Sequence, residues 1–247
     1  MIMAGRMRID KLRTIETRIR PLYSSLVDLF FPPQCVYCRT IGNRICDSCA
    51  AGIPWIGSAC CEACGLPGGD RCEHICIERG QLQFIRSAAV FSGPMRKALH
   101  ALKYDSDRSL AALLVRLAHP HWALPAWSYD VLIPVPLGKK RERARGYNQS
   151  LLLAEALSRM VGVPVAAGSI TRVRETPTQV GLSYPERKRN VADAFQATAV
   201  AGKRILLVDD VCTTGATLQS CAEALGRAGA LGVGALTLAR AAPPAAR

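Results

Sequence analysis

The stretch Lys203-Arg204-Ile205-Leu206-Leu207-Val208-Asp209-Asp210-Val211-Cys212-Thr213-Thr214-Gly215-Ala216-Thr217 concentrates the chemistry of this 247-residue chain. Its apolar run, Ile205–Val208, reads as a buried strand that ends in two adjacent carboxylates, Asp209 and Asp210. A short turn carrying Thr213, Thr214, Gly215, Ala216 and Thr217 then opens a helix. In open α/β sheets ligands bind beyond the carboxyl ends of the strands. A helix N-terminus behind a Gly/Thr loop presents free N–H groups and hydroxyls, which suit a phosphate. Two carboxylates beside such a cradle repel the phosphate unless they meet hydroxyls or a metal. A sugar phosphate satisfies both needs, with its phosphate on the 213–217 loop and its diol on Asp209 and Asp210. The plainer reading is a strand-to-helix turn capped by threonine. No Walker A sequence occurs, and Gly232-x-Gly234 lacks a third glycine and a following helix, which argues against NTPase and dinucleotide sites.

The cysteines are the second source of chemistry. Nine of the 11 lie between Cys35 and Cys76; the others are Cys212 and Cys221. Cys35-x2-Cys38-x7-Cys46-x2-Cys49 is followed by Cys61-x2-Cys64-x7-Cys72-x3-Cys76, nearly the same pattern again. Zinc takes four soft ligands at tetrahedral corners, and two C-x2-C knuckles close one such site. Two quartets therefore imply two structural Zn²⁺ ions, and metal would supply most of the folding free energy of this weakly apolar block. A chelator is then expected to melt residues 35–76 and spare the sheet that follows. Cys60 is a spare beside Cys61, and His74 is an alternative ligand in place of Cys72 or Cys76.

Two basic segments accompany the acid pair. Asp130-Val-Leu-Ile-Pro-Val-Pro-Leu-Gly-Lys-Lys places a second loop at a strand end, with Leu137, Gly138, Lys139 and Lys140 as candidate anion-binding residues: Gly138 allows close backbone approach, and the two lysines could neutralise a leaving group. The run continues through Arg141, Arg143 and Arg145, either a solvated face or part of the ligand edge. Arg172, Arg174 and Gln179 begin a long polar segment that reaches Arg187-Lys188-Arg189-Asn190, the kind of insertion that acts as a lid. Lys103 reads as a solvated helix-end lysine ahead of a phosphate contact.

These residues need a scaffold. Strands are expected at 85–91, 130–135, 163–167, 204–209 and 233–239, and helices at 93–104, 107–119, 147–161 and 214–228. Alternation of this kind gives an α/β fold, a doubly wound parallel sheet covered on both faces. The organisation expected is a basic, amphipathic helical segment (1–34), the cysteine block (35–80), the α/β domain (81–240) and a tail (241–247). Hydrophobic residues at 49% and charged residues at 21% are globular proportions. A formal charge of +13, lowered to about +9 by two tetrathiolate zinc sites, favours anionic partners. No apolar run approaches the roughly 18 residues of a spanning helix. The N-terminus lacks a secretory signal's apolar core, so a cytoplasmic protein without membrane insertion is expected.

VDDVCTTGAT resembles the phosphoribosyl-diphosphate signature of type I phosphoribosyltransferases. With FFPPQCVYC, ACGLP, FSGPMRKALHALKY, PVPL, RARGYNQ and RETPTQVGLSYPERKRNVADAF in order, the chain is similar to the ComF family from about Leu26 to Arg240. That family joins a double zinc ribbon to a phosphoribosyltransferase domain, and the x3 spacing at Cys72–Cys76 departs from its pattern. The resemblance implies a Mg²⁺-dependent phosphoribosyltransferase in which Asp209 and Asp210 hold the ribose diol. The 213–217 loop would anchor the 5′-phosphate, the 137–140 loop would receive pyrophosphate, and the segment from Arg172 would close over the site. The acceptor stays open. Through its association with natural competence, the family also implies a rival role, a single-stranded DNA accessory factor working with competence helicase machinery, in which the sugar-phosphate pocket is regulatory. Tyr104, Tyr147 and Tyr184 are then the stacking platforms near the basic segments. A homodimer is a further expectation.

Overall fold

The computed structural model describes residues 32–58, 60–66, 81–174 and 194–241. Residues 1–31 of the expected helical segment, the residues Cys72, His74, Cys76 and Gln179, most of the lid segment and the tail from 242 lie outside them.

Four strands form one parallel sheet: β1 (Leu82–Val90), β2 (Val131–Pro134), β5 (Arg204–Cys212) and β6 (Gly232–Arg240), in the order β1-β6-β5-β2. Their runs of Val, Ile, Leu and Ala are buried almost end to end, as a sheet covered on both faces requires. Leu206 and Val208 point to one face, where they join Leu99 and Leu102 of α2 (Gly93–Tyr104), Leu114 of α3 (Leu110–Ala118) and Leu153 and Leu157 of α5 (Gln149–Val161). Ile205 and Leu207 point to the other face, against Leu218, Cys221 and Leu225 of α6 (Ala216–Arg227). The period-2 alternation of a strand thus serves two separate cores.

Three expectations change. The strand expected at 163–167 shrinks to one parallel bridge between Val165 and Leu132, because Pro164 has no N–H to give and a 3₁₀ turn follows at Ala167–Ser169. The basic run after Gly138 is a helix, α4 (Lys139–Arg145), stopped by Gly146 in the left-handed region at φ 78°. The polar stretch from Arg172 begins as β3 (Ile170–Arg172), which pairs antiparallel with β4 (Phe195–Ala197) and lies over the α6 face.

The cysteine block folds on the sheet. Cys35 N–H donates to Thr40 O and Arg39 N–H to Cys35 O, both at 2.9 Å; Cys61 N–H to Leu66 O and Gly65 N–H to Cys61 O repeat this at 2.9 Å. Arg39 and Gly65, one residue past each knuckle, take φ 67° and 68°. The sequence repeat is therefore a repeat of turn geometry. Between the two turns lies the short helix α1 (Asp47–Ala51), which carries Cys49.

Candidate functional site

β2 leaves the sheet first. Its last contact is Val135 N–H to Val208 O at 3.0 Å, while β5 runs on to Cys212, paired among the described residues with β6 alone. Asp209 and Asp210 therefore stand inside the strand, past the end of their neighbour on one side. This is the carboxyl-edge crevice that the sequence reading required. The two acids line a cleft of about 760 Å³ together with Thr213 and Thr217, Leu137, Arg141 and Arg145, Lys103 and Tyr104, and Arg172.

The acids are held differently. Ser150, in the first turn of α5, donates its hydroxyl to Asp209 Oδ1 at 2.7 Å, and Asp210 N–H donates to the same oxygen at 2.9 Å. Burial, then the neighbouring charge of Asp210, push the Asp209 carboxyl up to about 7, while the Ser150 bond pulls the other way. Asp210 is buried and forms an ion pair through Oδ1 with Lys103 Nζ at 3.0 Å. Its Oδ2 is buried with no hydrogen-bond partner among the described residues. Such an oxygen is costly unless a ligand hydroxyl or a cation completes it.

The Thr-Gly turn has the expected shape. Gly215 precedes α6 at φ 82°, and Thr214 Oγ1 accepts from Ala216 N–H at 3.4 Å. Thr213 and Thr217 line the cleft; Thr214, Gly215 and Ala216 form the turn behind them. The second loop is rearranged relative to expectation. Leu137 lines the cleft, but Lys139 and Lys140 are exposed outside its lining, and Arg141 and Arg145 of α4 line it instead. The helix explains the exchange, since side chains three or four apart share one face. Gly138 has an ordinary φ of −64°, so its backbone does not demand glycine. Arg172 reaches the cleft with its guanidinium 5.4 Å over the Phe195 ring, whereas the exposed Arg174 is outside the lining.

Ser150 was not foreseen, and Lys103 is no solvated helix end: its side chain is 21% exposed and paired to Asp210. A signal for Ser150 existed. Asn148 before an apolar run is an N-cap, and its side chain accepts from Ser150 N–H at 2.9 Å, which puts Ser150 in the first turn.

The metal centre is separate. Single sulfur atoms of Cys35, Cys38, Cys46 and Cys49 all lie within 4.8 Å of one another, and Cys38 and Cys46 are 3.6 Å apart. Four thiolates about 2.3 Å from one ion would stand roughly 3.8 Å apart, so the quartet fits zinc. Thr40, with Oγ1 3.2 Å from Cys38 Sγ, helps draw that thiol down to about 6, toward the thiolate a metal needs. Of the second quartet, Cys61 and Cys64 occupy the repeated turn.

Comparison with known proteins agrees with this layout. Residues 26–78 match the double zinc ribbon domain family, and residues 148–246 match the phosphoribosyl transferase domain family. The chain is 36% identical to the DNA utilization protein YhgH of Salmonella typhi, over 79% of this chain and 90% of that one. It is 31% identical to Competence protein F of Haemophilus influenzae, over 86% and 99%. Among solved structures, adenine phosphoribosyltransferase from Thermoanaerobacter pseudethanolicus aligns with 60% of this chain and 76% of its own at 16% identity and TM-score 0.36. Two domain families in this order, and relatives matched over nearly their whole length, establish that the chain belongs to the ComF family.

Proposed function

We propose that the cleft binds phosphoribosyl diphosphate and transfers its phosphoribosyl group. The observation that carries this reading is one cleft holding the acid pair at the end of β5, the Thr213–Thr217 turn at the start of α6, and the arginines of α4. The diol would lie on Asp209 and Asp210, the 5′-phosphate on the turn, and the diphosphate toward Arg141 and Arg145 in place of Lys139 and Lys140. Breaking the C1–oxygen bond leaves positive charge on the ribose ring and negative charge on the departing pyrophosphate. The carboxylates stabilise the first and the arginines the second. The acceptor forms the new bond at C1 and releases one proton. Mg²⁺ carried with the diphosphate would neutralise the leaving group, and the acid pair with its partnerless Asp210 Oδ2 suits a ligand that brings hydroxyls and a cation. Zinc on Cys35, Cys38, Cys46 and Cys49, and a second ion on the Cys61–Cys64 turn with Cys72 and Cys76, would supply folding free energy.

Arg172 lies where a segment continuing through Arg174 and Gln179 would cover the ligand. The test is calorimetric titration with phosphoribosyl diphosphate, with and without Mg²⁺, followed by pyrophosphate release against a panel of nucleobases and amines. Binding that needs Mg²⁺, and release with one acceptor class, is expected. Binding without turnover on any acceptor would leave a sensor or carrier of the sugar phosphate.

A second reading has its own support. α4 buries no residue, and five of its seven are Lys or Arg, a basic face suited to a polynucleotide backbone. Relatives carry the names DNA utilization protein and Competence protein. Single-stranded DNA is the partner this face would take, in a cytoplasmic handling role alongside a competence helicase, with the pocket reporting the sugar-phosphate supply.

A further inference from the structure

Lys103 does something that the reading above does not use. It lies in the last turn of α2, where a lysine ordinarily faces water and the helix carbonyls. Its Nζ instead reaches across the cleft wall to Asp210 Oδ1 at 3.0 Å, with side-chain exposures of 21% for Lys103 and 6% for Asp210. Asp210 is thus occupied at one oxygen by a resident cation and, among the described residues, without a hydrogen-bond partner at the other. Asp209 is held by the neutral donors of Ser150 and a backbone N–H, and among the described residues it forms no ion pair.

The geometry points to Lys103 as an exchangeable counter-cation: it holds Asp210 until ligand arrives, then moves to a phosphate oxygen of the diphosphate as the ribose hydroxyls take Asp210. This rests on the phosphoribosyl-diphosphate reading of the cleft. Stereochemistry supports the exchange. In that ligand the C1 diphosphate lies on the same ring face as the 2- and 3-hydroxyls, and the 5′-phosphate lies on the opposite face. A lysine displaced from the diol's carboxylate therefore meets the diphosphate, not the 5′-phosphate, which has the Thr213–Thr217 turn. The lysine stem is long and flexible, with a compact charge that pairs as readily with phosphate as with carboxylate. After the exchange the ammonium is paired with a phosphate oxygen and the Asp210 carboxylate accepts hydrogen bonds from the ribose hydroxyls, so neither buried charge is left without a polar partner. Lys103 is on this account a residue of specificity for diphosphate over the bare sugar phosphate.

The test compares two probes on the full chain, ribose 5-phosphate and phosphoribosyl diphosphate, in wild type, Lys103→Met and Lys103→Arg. Lys103→Met should weaken phosphoribosyl diphosphate about ten- to a hundredfold, the worth of one charge-assisted hydrogen bond. It should leave ribose 5-phosphate unchanged or bound more tightly, because Asp210 no longer has to be freed. Lys103→Arg should restore most of the diphosphate affinity. Equal loss of both probes in Lys103→Met, or loss of fold by circular dichroism in Lys103→Met together with unrestored affinity in a folded Lys103→Arg, would overturn the exchange and make Lys103 a structural tie. A wild type that binds neither probe would instead overturn the reading of the cleft, and the exchange with it.

Discussion

Asp209 and Asp210 are neighbours in sequence but meet different surroundings, and single substitutions should separate their roles. Asp209→Asn and Asp210→Asn keep shape and remove the charge that strengthens hydrogen bonds to a diol. Each should weaken phosphoribosyl diphosphate roughly ten- to a hundredfold in a calorimetric titration, and should depress any transfer rate more, because the ring gains positive charge only in the transition state. Gly215→Val should abolish binding, since a branched residue at φ 82° deforms the turn that receives the phosphate. Unchanged affinity in all three variants would move the site elsewhere. Asp209 also makes a pH prediction. Its folded carboxyl, at about 7 against an ordinary 3.8, holds its proton more tightly than in the unfolded chain. Its stabilising contribution is therefore complete below the unfolded value and is lost as pH rises through about 7. The melting temperature of the ligand-free chain should fall further between pH 5 and 8 in Ser150→Ala, which loses a hydrogen bond to the charged form, than in wild type. Asp209→Asn should show the smallest fall, and parallel profiles in all three would exclude this carboxyl as the cause.

At the scale of elements, α4 is where the sequence was least legible and where the rival functions divide. Lys-Lys-Arg-Glu-Arg-Ala-Arg has no apolar periodicity, because the helix buries nothing; its only signal was the pair of glycines that bracket it, Gly138 before and Gly146 after. Missing that helix put the lysines on the cleft in place of Arg141 and Arg145. The same logic explains what was legible. β5, β6, α2 and α6 carry long apolar runs or faces because each is buried, and the expected and observed ranges of β6, α2 and α6 nearly coincide. β5 ran three residues past its expected end, since β6 keeps pairing with it through Arg240, a partner that local patterning does not reveal. The two three-residue strands β3 and β4 were equally invisible, being stabilised by pairing across a long separation in sequence. The acid pair and Thr-Gly turn were readable because their chemistry is local, whereas Lys103 is 107 positions from Asp210 and joins it only through the fold. If α4 binds single-stranded DNA, affinity should fall with salt at a log–log slope of roughly −0.7 per phosphate neutralised. Replacing Arg141, Arg143 and Arg145 with alanine should flatten that slope by up to about two units, a change readable by fluorescence anisotropy with an oligonucleotide. Salt-independent binding, or none, would leave the helix to the sugar-phosphate cleft alone.

Across the whole molecule the zinc block and the sheet are one structure, and the expectation that a chelator would melt the block alone does not fit it. Cys35, Ile45, Cys49 and Ile53 are buried in the same core as Phe84, Leu99 and Leu236, and Trp55 bridges to Ala89 on β1. Arg44 pairs with Asp107 in the turn between α2 and α3. The repeated turn is tied more deeply still. Ile85 N–H donates to Ala63 O at 2.8 Å, and a side chain at Gly65 would place its Cβ 2.4 Å from Ile85 O. Two buried guanidiniums end on this turn: Arg86 Nη1 donates to Glu62 O at 2.8 Å and Arg240 Nη1 to Cys64 O at 3.0 Å. Arg240 Nη1 also lies 2.8 Å from Cys212 Sγ, two residues beyond Asp210. Unravelling the Cys61–Gly65 turn would leave both arginines short of acceptors inside the protein, at a cost of a few kcal/mol each. Metal removal should therefore lower the melting temperature of the sheet itself by several degrees or more, because about 1 kcal/mol shifts a domain of this size by roughly 2–4 °C. Through Arg240 and Cys212 it should also weaken the sugar-phosphate site. Hydrogen exchange on β1 and β6, measured before and after chelation, reads the first effect, and ligand titration of the same samples reads the second. Protection of both strands unchanged while the cysteine block opens would mean that the turn rests on the sheet without supporting it.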